Sequence, residues 1–372
     1  MTTRVKILGA GSIGNHLAHA CRGRGWDVSL CDVDPAALRR ARDEIYPARY
    51  GAWDEAIVLA GPEELEQTAF DLAIVGTPPD THMSLALAEL AAPAPRVLLV
   101  EKPLCTPALE DCAALHARAA ETGTRVLVGY NHCLTPNTCL AEQWLESGAL
   151  GEVLNMEAAV REHWRGIFDA HPWLAGPHET YLGFTERGGG ALCEHSHGLN
   201  ILQHFARRTG HGRIVRVDAR LDMVASGGAR YDRLAELDLE TESGLTGRVV
   251  QDVITEPPLK RLRVQGRDGD LEWAVNAEPG ADVVTLRTRA EGERRERLPK
   301  TRADDFRPEM EHVAALLEDP ARPSPISLEA GLETMLVIAA AVRAHRERRT
   351  ITIDYARGYG PQTLLPAAAE AR

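Results

Sequence analysis

Near its start the chain sets a short rhythm and then repeats it. Val5-Lys6-Ile7-Leu8 is apolar, and a glycine-rich turn leads into a stretch with Ile13, Leu17, Ala18 and Cys21 at helical spacing. The first reads as a strand, and the second as one face of a helix. Apolar runs recur at Val28-Ser29-Leu30-Cys31, Asp71-Leu72-Ala73-Ile74-Val75, Arg96-Val97-Leu98-Leu99-Val100 and Arg125-Val126-Leu127-Val128. Helical patterns over 84–90 and 107–122 separate the later runs, while residues 36–68 keep the alternation less clearly. Strands that alternate with helices predict a parallel, doubly wound sheet.

Past residue 130 the pattern changes. A helix is predicted over 137–147 and a strand over Glu152–Ala158; residues 161–187 are irregular and rich in His, Trp and Tyr. A helix is predicted from Leu192 to Arg208. Strand patterns then follow near 214–225, 232–241, 246–254, 260–265, 270–275 and 282–288 without helices between them. This predicts a large, mainly antiparallel open sheet. Helices near 305–318 and 327–346 close the pattern. The expected architecture is an N-terminal α/β domain over 1–130, an α+β domain over 131–358, and a loosely ordered tail over 359–372.

Composition narrows the partners. The 372 residues are 44% apolar with a formal net charge of −12. An acidic chain without a long Lys/Arg block argues against nucleic acid or an anionic membrane as main partner. No apolar stretch approaches transmembrane length, and Met1-Thr2-Thr3-Arg4-Val5 runs straight into a strand, so no signal peptide is expected. Seven scattered cysteines without a C-x-x-C pair predict free thiols in a reducing cytoplasm.

Gly9-Ala10-Gly11-Ser12-Ile13-Gly14 lies between the first strand and the first helix. In that context G-x-G-x-x-G permits a tight turn, close approach of a pyrophosphate and close helix–strand packing. The helix N-terminus adds N–H donors and positive dipole. Asp32 ends the second strand, where a carboxylate would take the adenosine ribose hydroxyls and repel a 2′-phosphate. NAD is therefore expected over NADP. Thr77 and Pro78, at another strand's carboxyl end, join the expected cofactor set with Gly9, Gly11, Ser12, Ile13, Gly14, His82 and Asn131. For His82, helix capping or packing is an equal expectation.

Glu101-Lys102-Pro103 follows a buried strand and puts two charges at its carboxyl end, where open α/β sheets bind ligands. Pro103 restricts Lys102 to extended geometry. Further on, Gly188-Gly189-Gly190 precedes Glu194, His195 and His197. Three residues apart on one helix, Glu194 and His197 would share a face and suit an oriented acid–base pair. The alternative is a capping glutamate beside a packed histidine. Seven of the fourteen histidines fall between His163 and His211. Yet H-E-x-x-H is absent and His195 and His197 would point apart, so no metal centre is expected. Trp164, Arg165, His178 and Tyr181 suit a sugar-like ligand with apolar ring faces and many hydroxyls; a loop packing its own aromatics is the alternative.

Together, Gly9-x-Gly11-x-x-Gly14, Thr77-Pro78-Pro79, Glu101-Lys102-Pro103 and the glycine run before a His-bearing helix resemble the Gfo/Idh/MocA oxidoreductase family. The resemblance spans nearly the whole chain. It implies a Rossmann domain followed by an α/β domain whose open sheet often mediates homodimers or homotetramers. It also implies hydride transfer between NAD or NADP and a carbinol of a sugar, cyclitol or sugar nucleotide. Lys102 matches the family's active-site lysine and His197 its histidine, with Glu101 and Lys102 beside the cofactor and Lys102, His132 and His197 beside the substrate. Cys193 stands where many members carry an aspartate four residues before the histidine, so Glu194 is the expected substitute. Asn200 replaces a common aspartate, and His132 a common arginine. Two proton-transfer assignments stay open: His197 as the base with Lys102 polarising the oxygen, or Lys102 as the base. Two other classes stay open as well, a glycosidase that oxidises its sugar transiently with NAD and a non-catalytic nucleotide-binding sensor.

Overall fold

The structure, a computed structural model, describes residues 2–91, 93–169, 171 and 173–368. The chain forms two compact units. The first holds Met1–Leu104, Asp111–Asn131 and Arg302–Glu329, and the second Cys105–Glu110, His132–Thr301 and Ala330–Arg372.

In the first unit, β1 (Arg4–Leu8), α1 (Ser12–Gly23), β2 (Asp27–Cys31), α2 (Pro35–Arg40), α3 (Tyr46–Tyr50), β3 (Ile57–Ala60), α4 (Pro62–Leu65), β4 (Leu72–Val75), α5 (Pro79–Glu89), β5 (Val97–Val100), α6 (Cys112–Thr122) and β6 (Arg125–Val128) follow in order. A π-helical turn, Ala41–Ile45, joins α2 to α3. The six strands are all parallel, in the order β3-β2-β1-β4-β5-β6. Every residue of β4 and β5 is buried, which is why these strands read as unbroken apolar runs. The strand order reverses on either side of β1, and ligands of such sheets bind at the strand carboxyl ends there.

The second unit continues with α7 (Pro136–Glu146), β7 (Val153–Arg161), α8 (Arg165–Asp169), α9 (Gly190–Glu194), α10 (His197–Arg208), β8 (Ile214–Ser226), β9 (Ala229–Thr241), β10 (Thr246–Asp252), β11 (Leu259–Gly266), β12 (Gly269–Glu278), β13 (Ala281–Thr288) and β14 (Gly292–Pro299). After α11 (Arg307–Glu318) come α12 (Leu328–Glu347), β15 (Ile351–Ile353) and β16 (Leu364–Pro366). Ten strands form one sheet, β14-β13-β12-β11-β7-β10-β9-β8-β15-β16, in which only β7 and β10 pair in parallel. Helix α10 packs on β7, β10 and β11, and α7 on β12 and β13.

Several features differ from the expected ones, and Cys105–Glu110 also falls in the second unit. Residues 302–329 belong to the first unit, where Cys21 Sγ lies 3.3 Å from Met310 Sδ and Val128 N–H donates to Ile326 C=O at 2.9 Å. Burial of α11 against α1 and β5 puts it there, a contact across nearly the whole sequence. Within the expected tail, β16 pairs antiparallel with β15, and Thr363 C=O accepts Asp354 N–H at 2.9 Å. Residues 369–372 of that tail lie outside the described residues. Finally, β14 has no counterpart among the predicted strands, because its Gly-Glu-Arg-Arg-Glu-Arg sequence is exposed on both faces of an edge strand and shows no alternation.

Candidate active site

The glycine turn of the first unit is built for close approach. Gly9 has φ +103°, and a Cβ there would lie 2.7 Å from Gly76 O. A Cβ on Gly14 would lie 1.9 Å from Gly9 O, so α1 can pack against β1 only without one. A Cβ on Gly11 would stand in open space. Asn15 pins the turn from inside, donating to Ala10 C=O at 3.0 Å and Gly11 C=O at 2.8 Å. No side chain caps α1, so its first-turn N–H groups remain for an anion. This open, uncapped turn fits the diphosphate of a dinucleotide. Asp32 sits at the end of β2 and accepts Ala10 N–H at 2.8 Å and Asp34 N–H at 2.9 Å. It thereby ties the end of β2 to the turn itself. Arg49, which the sequence did not single out, donates to Ser12 C=O at 2.8 Å and Ser12 Oγ at 2.7 Å. Only α3 brings it there.

At the carboxyl ends of β4 and β5, His82 takes the packing place, one of the two expected for it. It is fully buried, with Nδ1 2.9 Å from Pro103 O and Nε2 2.7 Å from Thr77 O. Its two ring nitrogens lie against backbone carbonyls of two strand-end loops. Thr77 shares its hydroxyl with Thr81 at 2.7 Å, and Pro78 stands as N-cap of α5. Lys102 is half-buried, whereas Glu101 is buried, its carboxylate accepting Lys102 N–H at 3.3 Å. A Cβ on Gly129 would come within 2.7 Å of Glu101 Oε1, so the glycine after β6 leaves room for that carboxylate. Beneath it lies Glu309 of α11, 1% exposed, with no hydrogen-bond partner for its carboxyl oxygens among the described residues. Burial and the Glu101 charge push the Glu309 carboxyl well above the usual range, favouring its neutral form. Asn131 is buried and donates to Asp305 C=O at 3.0 Å, so its amide anchors the 302–306 segment. Glu101 and Asn131 thus support the loop from within, and Lys102 is the least buried of the three.

In the second unit the glycine run makes room for protein. A Cβ on Gly189 would lie 2.2 Å from Tyr181 O, and one on Gly190 would lie 2.0 Å from Asp232 Oδ1. Asp232 is fully buried; it accepts Leu192 N–H at 2.7 Å and the Thr185 hydroxyl at 3.1 Å. It therefore satisfies a free donor at the start of α9. The pairing of β8 with β9 shifts between Asp222 and Met223, whose partners are Leu234 and Asp232. Arg233 is the extra residue, and this bulge turns Asp232 inward.

Glu194 and His197 do not share a continuous helix. Glu194 ends α9 and His197 begins α10. Between them Ser196 N–H bonds Cys193 C=O and Gly198 N–H bonds His195 C=O, three-residue turns that break the helical phase. Glu194 accepts the Tyr181 hydroxyl at 3.3 Å. His197 and His132 are brought together, ring centroids 4.5 Å apart and edge to face, and Trp273 stands 5.8 Å from His132. Thr138 holds this corner by accepting the Trp273 indole N–H at 2.9 Å and donating to His132 C=O at 2.6 Å. Asn200 Oδ1 accepts the Cys133 thiol at 3.0 Å and its amide donates to Thr334 at 3.0 Å, joining α10 to the 132–135 turn and α12.

The aromatic segment splits. Trp164 is buried with Leu182, Ala191 and Val253 and is core, because its indole completes an apolar cluster under α8. Arg165 is exposed and pairs with Glu256 at 2.6 Å, and His178 faces Glu179 at 4.0 Å. Tyr181 reaches Glu194. Of the expected substrate residues in this unit, then, His132 and His197 meet directly, and Tyr181 joins Glu194.

Residues 3–130 match an oxidoreductase family with an NAD-binding Rossmann fold, and residues 140–272 match the GFO/IDH/MocA C-terminal domain. Over 362 residues the chain is 26% identical to an inositol 2-dehydrogenase of Rhizobium meliloti, covering 95% of this chain and 100% of that protein. An aldose-aldose oxidoreductase from Caulobacter crescentus, crystallised with glycerol, has the same fold at TM-score 0.74 and 20% identity, over 95% of this chain and 100% of the other. A levoglucosan dehydrogenase in complex with NADH and levoglucosan has it at TM-score 0.76 and 17% identity, over 95% and 99%.

Proposed function

The chain belongs to the GFO/IDH/MocA oxidoreductase family, and from that premise we propose that its substrate is a cyclic polyol: a sugar, a cyclitol or a sugar nucleotide. NAD is its cofactor, and it is a dehydrogenase or reductase of CH–OH groups. The observation that carries the reading is the first unit's strand-end pair. An open, uncapped glycine turn with Asp32 lies beside β1, and Lys102 follows β5 next to Pro103, whose carbonyl His82 holds. The full-length likeness to an inositol 2-dehydrogenase supports the substrate class.

When bound, NAD supplies the hydride acceptor or donor. The protein residues handle the oxygen and its proton. In this reading Lys102 hydrogen-bonds the substrate oxygen and stabilises the negative charge that develops on it, a role that asks for geometry rather than a neutral amine. His197 takes the hydroxyl proton in oxidation and returns it in reduction. His132, edge-on to His197, is assigned to substrate hydroxyls. Asp32 receives the adenosine ribose. The same reading includes cytoplasmic residence, supported by seven free cysteines. It also includes a homodimer or homotetramer built through the ten-stranded sheet, whose residues Glu157, Arg216, Asp218 and Arg248 line a charged depression.

A screen of cyclitols, sugars and sugar nucleotides with NAD and with NADP, read by reduced nicotinamide absorbance, tests the function. Turnover of a cyclic polyol with NAD is expected. Release of free sugar from a glycoside without net NADH would identify the NAD-using glycosidase instead. NAD binding without turnover of any class would sink the proposal. Sedimentation of the purified protein checks the oligomer.

A further inference from the structure

Among the half-buried arginines around the nucleotide turn, Arg49 is the one without an anion among the described residues. Arg22 pairs with Asp54, Arg40 with Asp34 and Arg302 with Asp305, but no carboxylate pairs with Arg49 among the described residues. It is also half-buried, and burial holds its guanidinium below the usual value. A cation drawn out of water without a counter-charge is costly, so such a group is kept where an anion completes it.

Arg49 is held in one place. Its two terminal nitrogens grip Ser12 C=O and Ser12 Oγ at the first turn of α1, and three further N–H donors remain on the fork. Aromatic rings pack the turn's flank. Tyr50 hydrogen-bonds His16 at 2.5 Å and stacks on His19 at 3.6 Å, and His16 stacks on Phe306 at 4.9 Å. Burial and the positive charges of Arg49 and Arg302 push the His16 imidazole down to about 3, so it stays neutral and adds no charge. Arg49 is therefore a half-buried, unneutralised charge beside the turn whose uncapped N–H groups would take a diphosphate.

We propose that Arg49 is an additional cofactor-binding residue, a guanidinium anchored on Ser12 that provides positive charge to the diphosphate of NAD. The proposal rests on the reading of residues 3–130 as the NAD-binding unit. It adds a contact from α3 that the glycine motif does not encode. Held by Ser12 before the cofactor arrives, the fork loses little freedom on binding.

The test is competition against NADH fluorescence with NAD, ADP-ribose, ADP and adenosine, using wild type, Arg49→Met and Arg49→Lys. Arg49→Met keeps the apolar stem and removes the charge. It should weaken NAD, ADP-ribose and ADP by about 10- to 100-fold, the range for a hydrogen bond to a charged group, and leave adenosine unchanged. Arg49→Lys should recover part of that loss, and rising salt should weaken wild type more than Arg49→Met. Equal weakening of adenosine and the diphosphates would make Arg49 a packing residue and overturn the proposal, as would unchanged binding of all four. Should Arg49→Met fail to fold, Arg49→Lys decides alone: wild-type affinity for adenosine with weakened ADP-ribose supports the proposal, and parallel changes refute it. Wild type that binds none of these nucleotides would sink the parent reading, a result distinct from the others.

Discussion

Asp232→Asn tests whether one buried carboxylate governs how the second unit responds to pH. Asp232 accepts bonds from Leu192 N–H and Thr185, yet burial outweighs them and pushes its carboxyl up to about 7. An aspartate in an unfolded chain titrates near 3.9. The folded value lies above the unfolded one, so between them the folded unit binds more protons and its stability falls as pH rises. The contribution is complete below about pH 4 and is lost as pH climbs through about 7. About three pH units at roughly 1.4 kcal/mol each give about 4 kcal/mol over the whole window, of which about 2–3 kcal/mol falls between about pH 5 and 8. For a unit of this size about 1 kcal/mol moves the midpoint roughly 2–4 °C, so Asp232 lowers the wild-type midpoint by about 5–10 °C over that range. Asparagine keeps the shape, its oxygen can still accept Leu192 N–H, and the Thr185 hydroxyl can turn to accept from the amide. Calorimetric melting of both proteins should therefore give curves that diverge with pH, with the variant ahead at about pH 8 and at or below wild type at about pH 5. The difference matters more than either curve. Burial pulls the His204 imidazole down, but Cys133 and Glu142 carry it up to about 9. That contribution, present below about pH 6.5 and lost as pH rises through about 9, is common to both proteins and cancels. Parallel curves would refute the reasoning. So would a variant less stable than wild type at about pH 8, since the ionised carboxylate's hydrogen bonds would then outweigh its burial.

Three further outcomes are expected. Asp32→Ser should narrow the preference for NAD over NADP, measured by calorimetric titration of both; tighter NADP binding by the wild type would contradict the role of Asp32. Lys102→Ala should lower turnover about 100-fold or more with NAD affinity little changed, and His197→Ala about 100- to 10,000-fold. If both serve one substrate oxygen, the double variant should lose less than the product of the two; strict multiplicativity would separate their roles. Gly14→Ala puts a Cβ 1.9 Å from Gly9 O. Backbone must move there, so NAD binding should be lost while the second unit's melting transition stays; normal NAD affinity would show that the turn is softer than its packing implies.

Much of this protein was legible along the chain, because it depends on local order. The apolar runs of β4 and β5 are buried on both faces, so any parallel strand there must read as it does. The glycine turn, Asp32 and Lys102 each lie within a residue or two of a strand's carboxyl end, and a parallel sheet brings such ends to one edge. What the chain could not disclose depends on contacts between distant residues. His82 reads equally as a cofactor contact and as a capping or packing histidine until Thr77 O and Pro103 O close on it. Asp232 alternates like a solvent-facing residue until the bulge at Arg233 reverses its face. Glu194 and His197 share a face only if the helix is unbroken, and the turn at His195–Ser196 breaks it. Trp164 has the chemistry of a sugar platform, but its neighbours Leu182, Ala191 and Val253 make it core. Arg49 lies 37 residues from Ser12, and nothing in its local sequence says that α3 delivers it to the head of α1. Local periodicity specifies an element and its inward face; which polar groups end up sharing a buried space depends on packing between elements, and only the tertiary structure decides that.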